Sequence, residues 1–415
     1  MDHRKKQDPR KIQQVNSPFD AKKGLGLKIA LVAVAALLVV AGILFLAHWQ
    51  GWITIPGLPF GPEADTQPVE TQPDTVIHFV AGGDLNVSDA TVKAGQTGST
   101  YDYSGVFRDI MPVLSGGDLT AVNLEGNLNG APYGSKYTSA PLEMMQALRN
   151  AGVDFVQTAN SCTMNNGPLG LTSTIRGIRE AGMEPLGTYE SAEEFQRTNG
   201  FVLVEVQGIR IALVAFTKGM GGKGLPDVSK NCVNLLYTDF INGYQKINKE
   251  GINKVLRAAE AANPDITIAL LHWGSTFNDN ISSTQKEIAK LMKNGGVDAI
   301  IGSHPHHVQP LELDKNGFFT AWSIGDLFND TTDRYTKYSI LLDLEITKDG
   351  ETGKTKITGF SYTPIFFCYE PSGVRILRIR EAMAAYESNN LNRVSKETYE
   401  EMAAALKRIE SRVSK

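Results

Sequence analysis

The residues with the clearest capacity for chemistry are the histidines, because they are few and grouped. Of seven in 415 residues, three fall in Gly302-Ser303-His304-Pro305-His306-His307, and a fourth, His272, closes the apolar run Ile266 to Leu271. Neutral imidazole is the commonest metal ligand near neutral pH. Pro305 keeps His304 out of the helical region and fixes its own φ. An extended backbone there turns His304 and His306 to the same side. The apolar run Val297 to Ile301 just before them reads as a buried strand. Two imidazoles converging at a strand end are a metal-site pattern, whereas polar loop histidines near a helix start are the plainer use of the same residues.

Other strands end in further donors. Val76 to Ala81 leads into Gly82-Gly83-Asp84. Leu119 to Leu124 leads into Glu125, and Phe155 to Ala159 leads into Asn160. Each is weak alone: an Asp after two glycines is ordinary turn chemistry, Asn160 suits a loop hydrogen bond, and Glu125 suits a solvated surface. In open α/β sheets, however, ligands bind beyond the carboxyl ends of strands. The ordered set Asp84, Glu125, Asn160, His272, His304 and His306 can hold two divalent cations with one carboxylate bridging. Such a pair clamps a phosphoryl group and acidifies a bound water. Mixed nitrogen and oxygen donors favour manganese, zinc or iron over magnesium or calcium.

The elements that must position these donors alternate. Strand patterns, with a further one at Arg210 to Phe216, are separated by helical patterns at 141–151, 173–181, 244–262 and 284–294. That alternation predicts an α/β domain with a largely parallel core sheet. Tyr338 to Ile346, Lys356 to Tyr362 and Val374 to Arg378 read as closing antiparallel strands. Residues 381–415 read as a charged helical tail with an apolar face formed by Met383, Tyr386, Leu391, Tyr399, Met402, Leu406 and Ile409, packed on the domain.

The first 75 residues read differently. Ile29 to Ala47 carries no charged side chain and is long enough to cross a bilayer as a helix. Eight Lys or Arg residues precede it, and none follows until Lys93. That asymmetry predicts a cytoplasmic amino terminus and an extracytoplasmic main domain, with Trp49 and Trp52 at the outer interface. The run is long for a cleaved signal peptide and lacks a clear small-x-small site after it. The expected organisation is a basic tail over 1–28, a transmembrane helix over 29–48, a Pro-rich linker over 49–75, the main domain over 76–380 and the tail over 381–415. A net charge of −4 argues against general nucleic-acid binding. Three cysteines, Cys162, Cys232 and Cys368, are too few for a disulfide framework, although one Cys232–Cys368 bridge is compatible with an outside location.

Gly83-Asp84, Asn123-Leu124-Glu125, Ala159-Asn160, His272-Trp273-Gly274, Gln285, Gly302-Ser303-His304-Pro305-His306 and Trp322-Ser323-Ile324-Gly325 together resemble the CapA family of poly-gamma-glutamate capsule synthesis proteins, over about Val76 to Phe367. The resemblance implies a four-layer αββα sandwich similar to the calcineurin-like metallophosphatases, with two mixed sheets between helices. It also implies outer-face anchoring, a role in handling an anionic envelope polymer such as poly-gamma-glutamate, and membrane synthase subunits as partners. Glu312 matches a family-like position, as a substrate contact or a hydrogen-bond support for a histidine.

The chain departs from the family pattern at three places. Ala159-Asn160-Ser161-Cys162 stands where the family usually reads Ala-Asn-Asn-His, so a thiol replaces the histidine that resembles the phosphatase acid. A thiolate can bind zinc, but a thiol is a poorer general acid than a tuned imidazole. Thr276 stands where Glu is usual. Ile324-Gly325-Asp326-Leu327 replaces a Leu-Gly-Asn-Phe pattern. The expectation is therefore an intact metal set with altered accessories. Three functional readings follow: a metal-dependent capsule-polymer protein, a metallophosphoesterase acting on a phosphorylated envelope substrate, and a non-catalytic scaffold on the same fold.

Overall fold

Alternation of side chains along the strands sorts this chain onto two sheets. The computed structural model describes residues 11–13, 72–330, 333–370, 373–388 and 394–414. The expected transmembrane run, its basic flank apart from 11–13, Trp49, Trp52, the linker through residue 71 and Leu391 lie outside the described residues. Among the described residues no helix is long and apolar enough to cross a membrane.

The strands are β1 (Lys11–Gln13), β2 (Thr75–Asn86), β3 (Gln96–Thr97), β4 (Thr100–Tyr101), β5 (Leu119–Glu125), β6 (Phe155–Gln157), β7 (Glu184–Leu186), β8 (Val202–Val206) and β9 (Ile209–Thr217). They continue as β10 (Ile266–His272), β11 (Ala299–Ser303), β12 (Leu311–Leu313), β13 (Phe319–Ala321), β14 (Asp326–Phe328), β15 (Tyr338–Lys348), β16 (Thr355–Glu370) and β17 (Gly373–Arg378). The helices are α1 (Asp89–Ala94), α2 (Ser104–Phe107), α3 (Met111–Leu114), α4 (Leu142–Asn150), α5 (Gly167–Glu180), α6 (Ala192–Thr198), α7 (Lys249–Ala261), α8 (Ser283–Asn294), α9 (Ile379–Glu387) and α10 (Lys396–Val413).

One sheet has the order β1-β8-β9-β10-β11-β13-β12, and the other β17-β16-β15-β2-β5-β6-β7 with β14 paired to β2. The first is parallel from β9 to β13, and the second is parallel from β2 to β7. Strands β15, β16 and β17 close the second sheet antiparallel, as their sequence pattern predicts. The largely parallel core read from the alternation is divided between two mixed sheets, each with a parallel centre, as the family resemblance implies. Strands of three to five residues, such as β7, β8, β13 and β14, are too short to show a period, so the alternation alone does not divide the strands between the sheets.

Burial defines the layers. Ile77, Phe79 and Ala81 of β2 share one apolar core with Ile211, Leu213 and Ala215 of β9 and with Ile268 and Leu270 of β10, so the two sheets face each other. Val80, Val122 and Val156 point the other way, onto Met144, Met145 and Leu148 of α4 and Ile178 of α5. Val214, Leu271 and Ile300 point onto Ile252 and Val255 of α7 and Ile288 and Met292 of α8. Helices therefore cover both outer faces, giving the four layers. The tail is two helices rather than one, and α10 buries Met402, Ala405, Ile409 and Val413 in the core between the sheets. Tyr386 of α9 stacks on Tyr399 of α10 with centroids 4.6 Å apart.

Strand β1 pairs antiparallel with β8, Lys11 opposite Glu205. Cys232 and Cys368 are buried in separate apolar clusters, and no disulfide joins them.

One close approach fixes the carboxyl end of β2. Asp84 N donates to Gly325 O at 3.1 Å, and a Cβ added to Gly83 would lie 1.8 Å from that oxygen. Backbone cannot yield as a side chain does, so Gly83→Ala must push β14 off β2. The expected cost is at least about 1–3 kcal/mol of stability, the range for overpacked sites, read as a lowered midpoint in urea unfolding. An unchanged midpoint would mean the two strands are not held this closely.

Candidate metal centre

The carboxyl ends of β2, β5, β10 and β11 bring their donors into one buried cluster. Two groups of metal-capable side chains form, Glu125 with His304 and His306, and Asp84 with His306 and Asp326, each with ligand atoms within 4.8 Å of one another. All five residues are buried. His306, rather than a carboxylate, is the residue common to both groups.

Asp84 is wholly buried, and each oxygen has a donor: Asn123 Nδ2 at 2.7 Å and His304 N at 2.9 Å. Burial, reinforced by the Glu125 charge, pushes its carboxyl up to about 8. Glu125 contacts His272 Nε2 through Oε1, which also accepts from Ser161 Oγ at 3.2 Å. Burial alone would raise its carboxyl, but the His272 charge and hydrogen bond, with His306 and His304, hold it at about 2. His272 Nδ1 lies 3.4 Å from Thr217 Oγ1, and burial lowers its basicity against the pull of Glu125.

His306 Nδ1 is 2.7 Å from Asp326 Oδ1 and 3.4 Å from Asp84 Oδ2. Burial works against its protonation, but Asp326, Glu125 and Asp84 together raise it to about 10. A carboxylate on the far nitrogen of a ligand histidine fixes its ring and tautomer, the usual support in metal sites. Asp326 is itself held by Asn329 Nδ2 at 2.7 Å and Asn86 Nδ2 at 3.3 Å. His304 is the reverse case. Burial first, then the neighbouring His272, keeps it well below the ordinary histidine range, and its buried Nδ1 has no hydrogen-bond partner.

The expected backbone of this motif is not what the structure has. His304 and His306 take φ of 89° and 59°, left-handed rather than extended. Pro305 does exclude the helix for His304, yet convergence comes from two left-handed residues flanking a proline. The rings still meet: His304 lies 4.4 Å from His272 and 6.2 Å from His306, centroid to centroid.

The remaining expected site residues divide. Asn160 joins the cluster through its amide, donating to Asn123 Oδ1 at 2.9 Å and Leu124 O at 2.6 Å while its Oδ1 accepts from Cys162 N at 3.0 Å. The second lone pair of that oxygen is what it can offer a cation. Cys162 stands beside the centre without entering either group, and burial with the nearby Glu125 charge pushes its thiol up, away from thiolate. Glu312 is exposed on β12, and the structure gives it no hydrogen bond to a histidine. Asp326 was legible only as a departure from pattern. Its place in the site depends on β14 pairing with β2, Asp326 opposite Asp84, a contact across more than two hundred residues.

The fit to a divalent cation rests on charge and on an unused donor. Three buried carboxyls face one protonated imidazole, and an unpaired buried polar nitrogen is costly. Asp84, Glu125, His304 and His306, with His272 and Asn160 beside them, are the residues that would hold metal, with Asp326 orienting His306. Bound there, a divalent cation supplies Lewis-acid polarisation and an acidified water.

The fold and site thus define a two-sheet α/β protein with a buried acid–imidazole centre suited to divalent metals. Residues 78–331 match the family described as bacterial capsule synthesis protein PGA_cap, and the chain belongs to that family. It is 24% identical over 334 residues to PGA biosynthesis protein CapA of Bacillus subtilis (strain 168), covering 78% of each chain. It is 26% identical over 260 residues to capsule biosynthesis protein CapA of Bacillus anthracis, covering 60% of each. Among solved structures it is similar to the calcineurin-like phosphoesterase YfkN from Bacillus subtilis, at 16% identity and a TM-score of 0.46 over 82% of this chain and 98% of that one.

Two outcomes follow. His304→Ala should weaken manganese binding by about tenfold or more, measured by metal titration of the full chain, because it deletes the one donor with no other partner. Stability should also depend on pH with a definite sign. Asp84 and His306 both hold protons in the folded metal-free protein over ranges where the unfolded chain has lost them, from about 3.8 to 8 and about 6.5 to 10. Above about pH 6.5, where His272 and His304 are neutral in both states, stability of the metal-free form should therefore fall as pH rises. Metal must displace those protons, so the rise in Tm on adding manganese should grow from pH 6.5 to 9. A Tm gain independent of pH would place the metal elsewhere.

Proposed function

We propose that this chain is a membrane-anchored, extracytoplasmic capsule protein that acts through its metal centre in the synthesis, export or anchoring of poly-gamma-glutamate or a similar anionic envelope polymer. The observation that carries the reading is the buried cluster of Asp84, Glu125, His304, His306 and Asp326 in a chain of the PGA_cap family. A purely structural use of the fold would not require three carboxyls and two imidazoles to be kept from water at strand ends, since buried charge costs stability unless it is paired or coordinates metal. The apolar run Ile29 to Ala47, with its one-sided positive charge, supplies the anchor. Membrane synthase subunits are the partners this placement brings within reach.

A second reading, a metallophosphoesterase acting on a phosphorylated envelope substrate, draws on the same donors, since such a set suits phosphoryl chemistry. The residue against it is Cys162. With its thiol pushed up by burial and by the Glu125 charge, it is not tuned as a general acid near neutral pH.

Complementation separates these readings. In a strain deleted for the gene, the parent chain should restore surface polymer, and His304→Ala should not. Full restoration by His304→Ala would leave only the scaffold reading. Metal-dependent release of phosphate from a generic monoester or diester, lost in His304→Ala, would favour the phosphoesterase. Topology has its own measurement. With the amino terminus cytoplasmic, a Lys11→Cys variant in intact cells stays unlabelled by a membrane-impermeant maleimide. Labelling from outside would reject the anchor topology.

A further inference from the structure

Two loops of the metal centre are gripped from outside it by the last helix. His307, next to His306, is 5% exposed and directs Nδ1 to Asp279 Oδ1 at 3.0 Å. The other oxygen of Asp279 accepts from Arg408 Nη2 at 2.8 Å and from Arg412 Nη2. Both arginines belong to α10, one turn apart, on a helix whose Met402, Ala405, Ile409 and Val413 are locked in the core between the sheets. Arg408 also lies 3.7 Å from the ring centroid of Tyr335, which meets the His307 ring edge-on at 5.5 Å.

Asp279 sits in the loop that follows His272, and that loop touches the ligands directly. Phe277 N donates to Pro305 O at 2.9 Å, and the Phe277 ring lies 5.4 Å from that of His306. Gln309 Nε2 donates to Asn278 O at 2.8 Å. Phe277, His304 and His306 all hold positive φ without being glycine, at 53°, 89° and 59°. Such conformations persist only where the surroundings over-determine them. The two loops fix each other, and the Asp279–His307 contact ties the pair to α10.

We infer that α10 is a positioning element of the metal centre, in which Arg408 and Arg412 act through Asp279 and His307 to hold the 273–282 and 304–309 loops in their ligand-binding form. The inference rests on the metal reading above and adds to it a segment outside residues 78–331, the part matched by the family.

The test uses the full chain and its Arg408→Ala/Arg412→Ala double variant. In the metal-free proteins, hydrogen exchange of peptides covering 274–280 and 304–309 should be about tenfold faster in the variant, with 119–125 unchanged. In a parent that binds manganese, the dissociation constant should rise about tenfold, the scale for losing support behind a ligand. Arg408→Lys/Arg412→Lys should recover most of both effects. Asp279→Asn breaks the same link from the other side and decides the matter should the double variant fail to fold. Unchanged exchange in these peptides overturns the inference, as does unchanged manganese affinity in a parent that binds it. A parent that binds no manganese, but whose loops lose protection in the variant, removes the metal reading and leaves the positioning role standing.

Discussion

Every acid of the metal centre comes from one sheet and the imidazoles come from the other. Asp84 lies two residues before the end of β2, Glu125 ends β5 and Asp326 begins β14. His272 ends β10, and His304 and His306 follow β11. The site is therefore a property of the sheet-to-sheet packing and of no single element. Phe79, Ala81, Leu213, Leu270 and their neighbours set the spacing at which carboxyl meets imidazole. The apolar core costs nothing electrostatically and tolerates little change in thickness, because protein interiors pack near crystal density. Opposite charges then meet where the strands end and water would otherwise enter.

That division explains why the centre is legible in part from sequence. Ligand types at strand ends are local: a run of β-branched and aliphatic residues followed by Asp, Glu, Asn or His can be read within ten positions. Asp84, Glu125, Asn160, His272, His304 and His306 are all of this kind, and the structure brings each to the cluster. What cannot be read locally is which strands neighbour one another. Asp326 belongs to a three-residue strand with no period, and only its pairing with β2 makes it a partner of His306. The same limit hides how the strands divide between the two sheets, since β7, β8, β13 and β14 carry too few residues to show a period, and the two-sheet fold comes from the family resemblance rather than from periodicity. The long helices fared better because their apolar faces repeat over several turns, although α5 begins six residues before its apparent pattern.

Backbone conformation was the other hidden quantity. Pro305 excludes helix at His304, and from that an extended path is the simplest inference. The chain instead takes two left-handed residues, with the His304 amide bonded to Asp84 and the Pro305 carbonyl bonded to Phe277. These contacts arrive from positions 84 and 277, so no reading of residues 302–307 alone contains them. The tail is comparable. Its apolar face was visible in sequence, but the role of Arg408 and Arg412 depends on Asp279, an exposed-looking loop residue more than a hundred positions away.

The electrostatics also set what kind of chemistry this arrangement favours. Glu125 is kept ionised by its histidines, Asp84 is kept protonated by burial and the Glu125 charge, and His306, against its burial, by Asp326, Glu125 and Asp84. In the metal-free centre the protons therefore sit on groups that a cation would need bare, so metal occupancy and proton release are one process. Cys162 shares this field without serving it. The carboxylates that favour a cation disfavour a thiolate, and the same burial that sharpens one suppresses the other. Had the position kept an imidazole, the negative charge of Glu125 would stabilise its protonated form and prepare a proton donor. With a thiol there, the field that completes a metal site removes the obvious acid beside it. The field that favours a cation and the field that disfavours a thiolate then share one electrostatic origin.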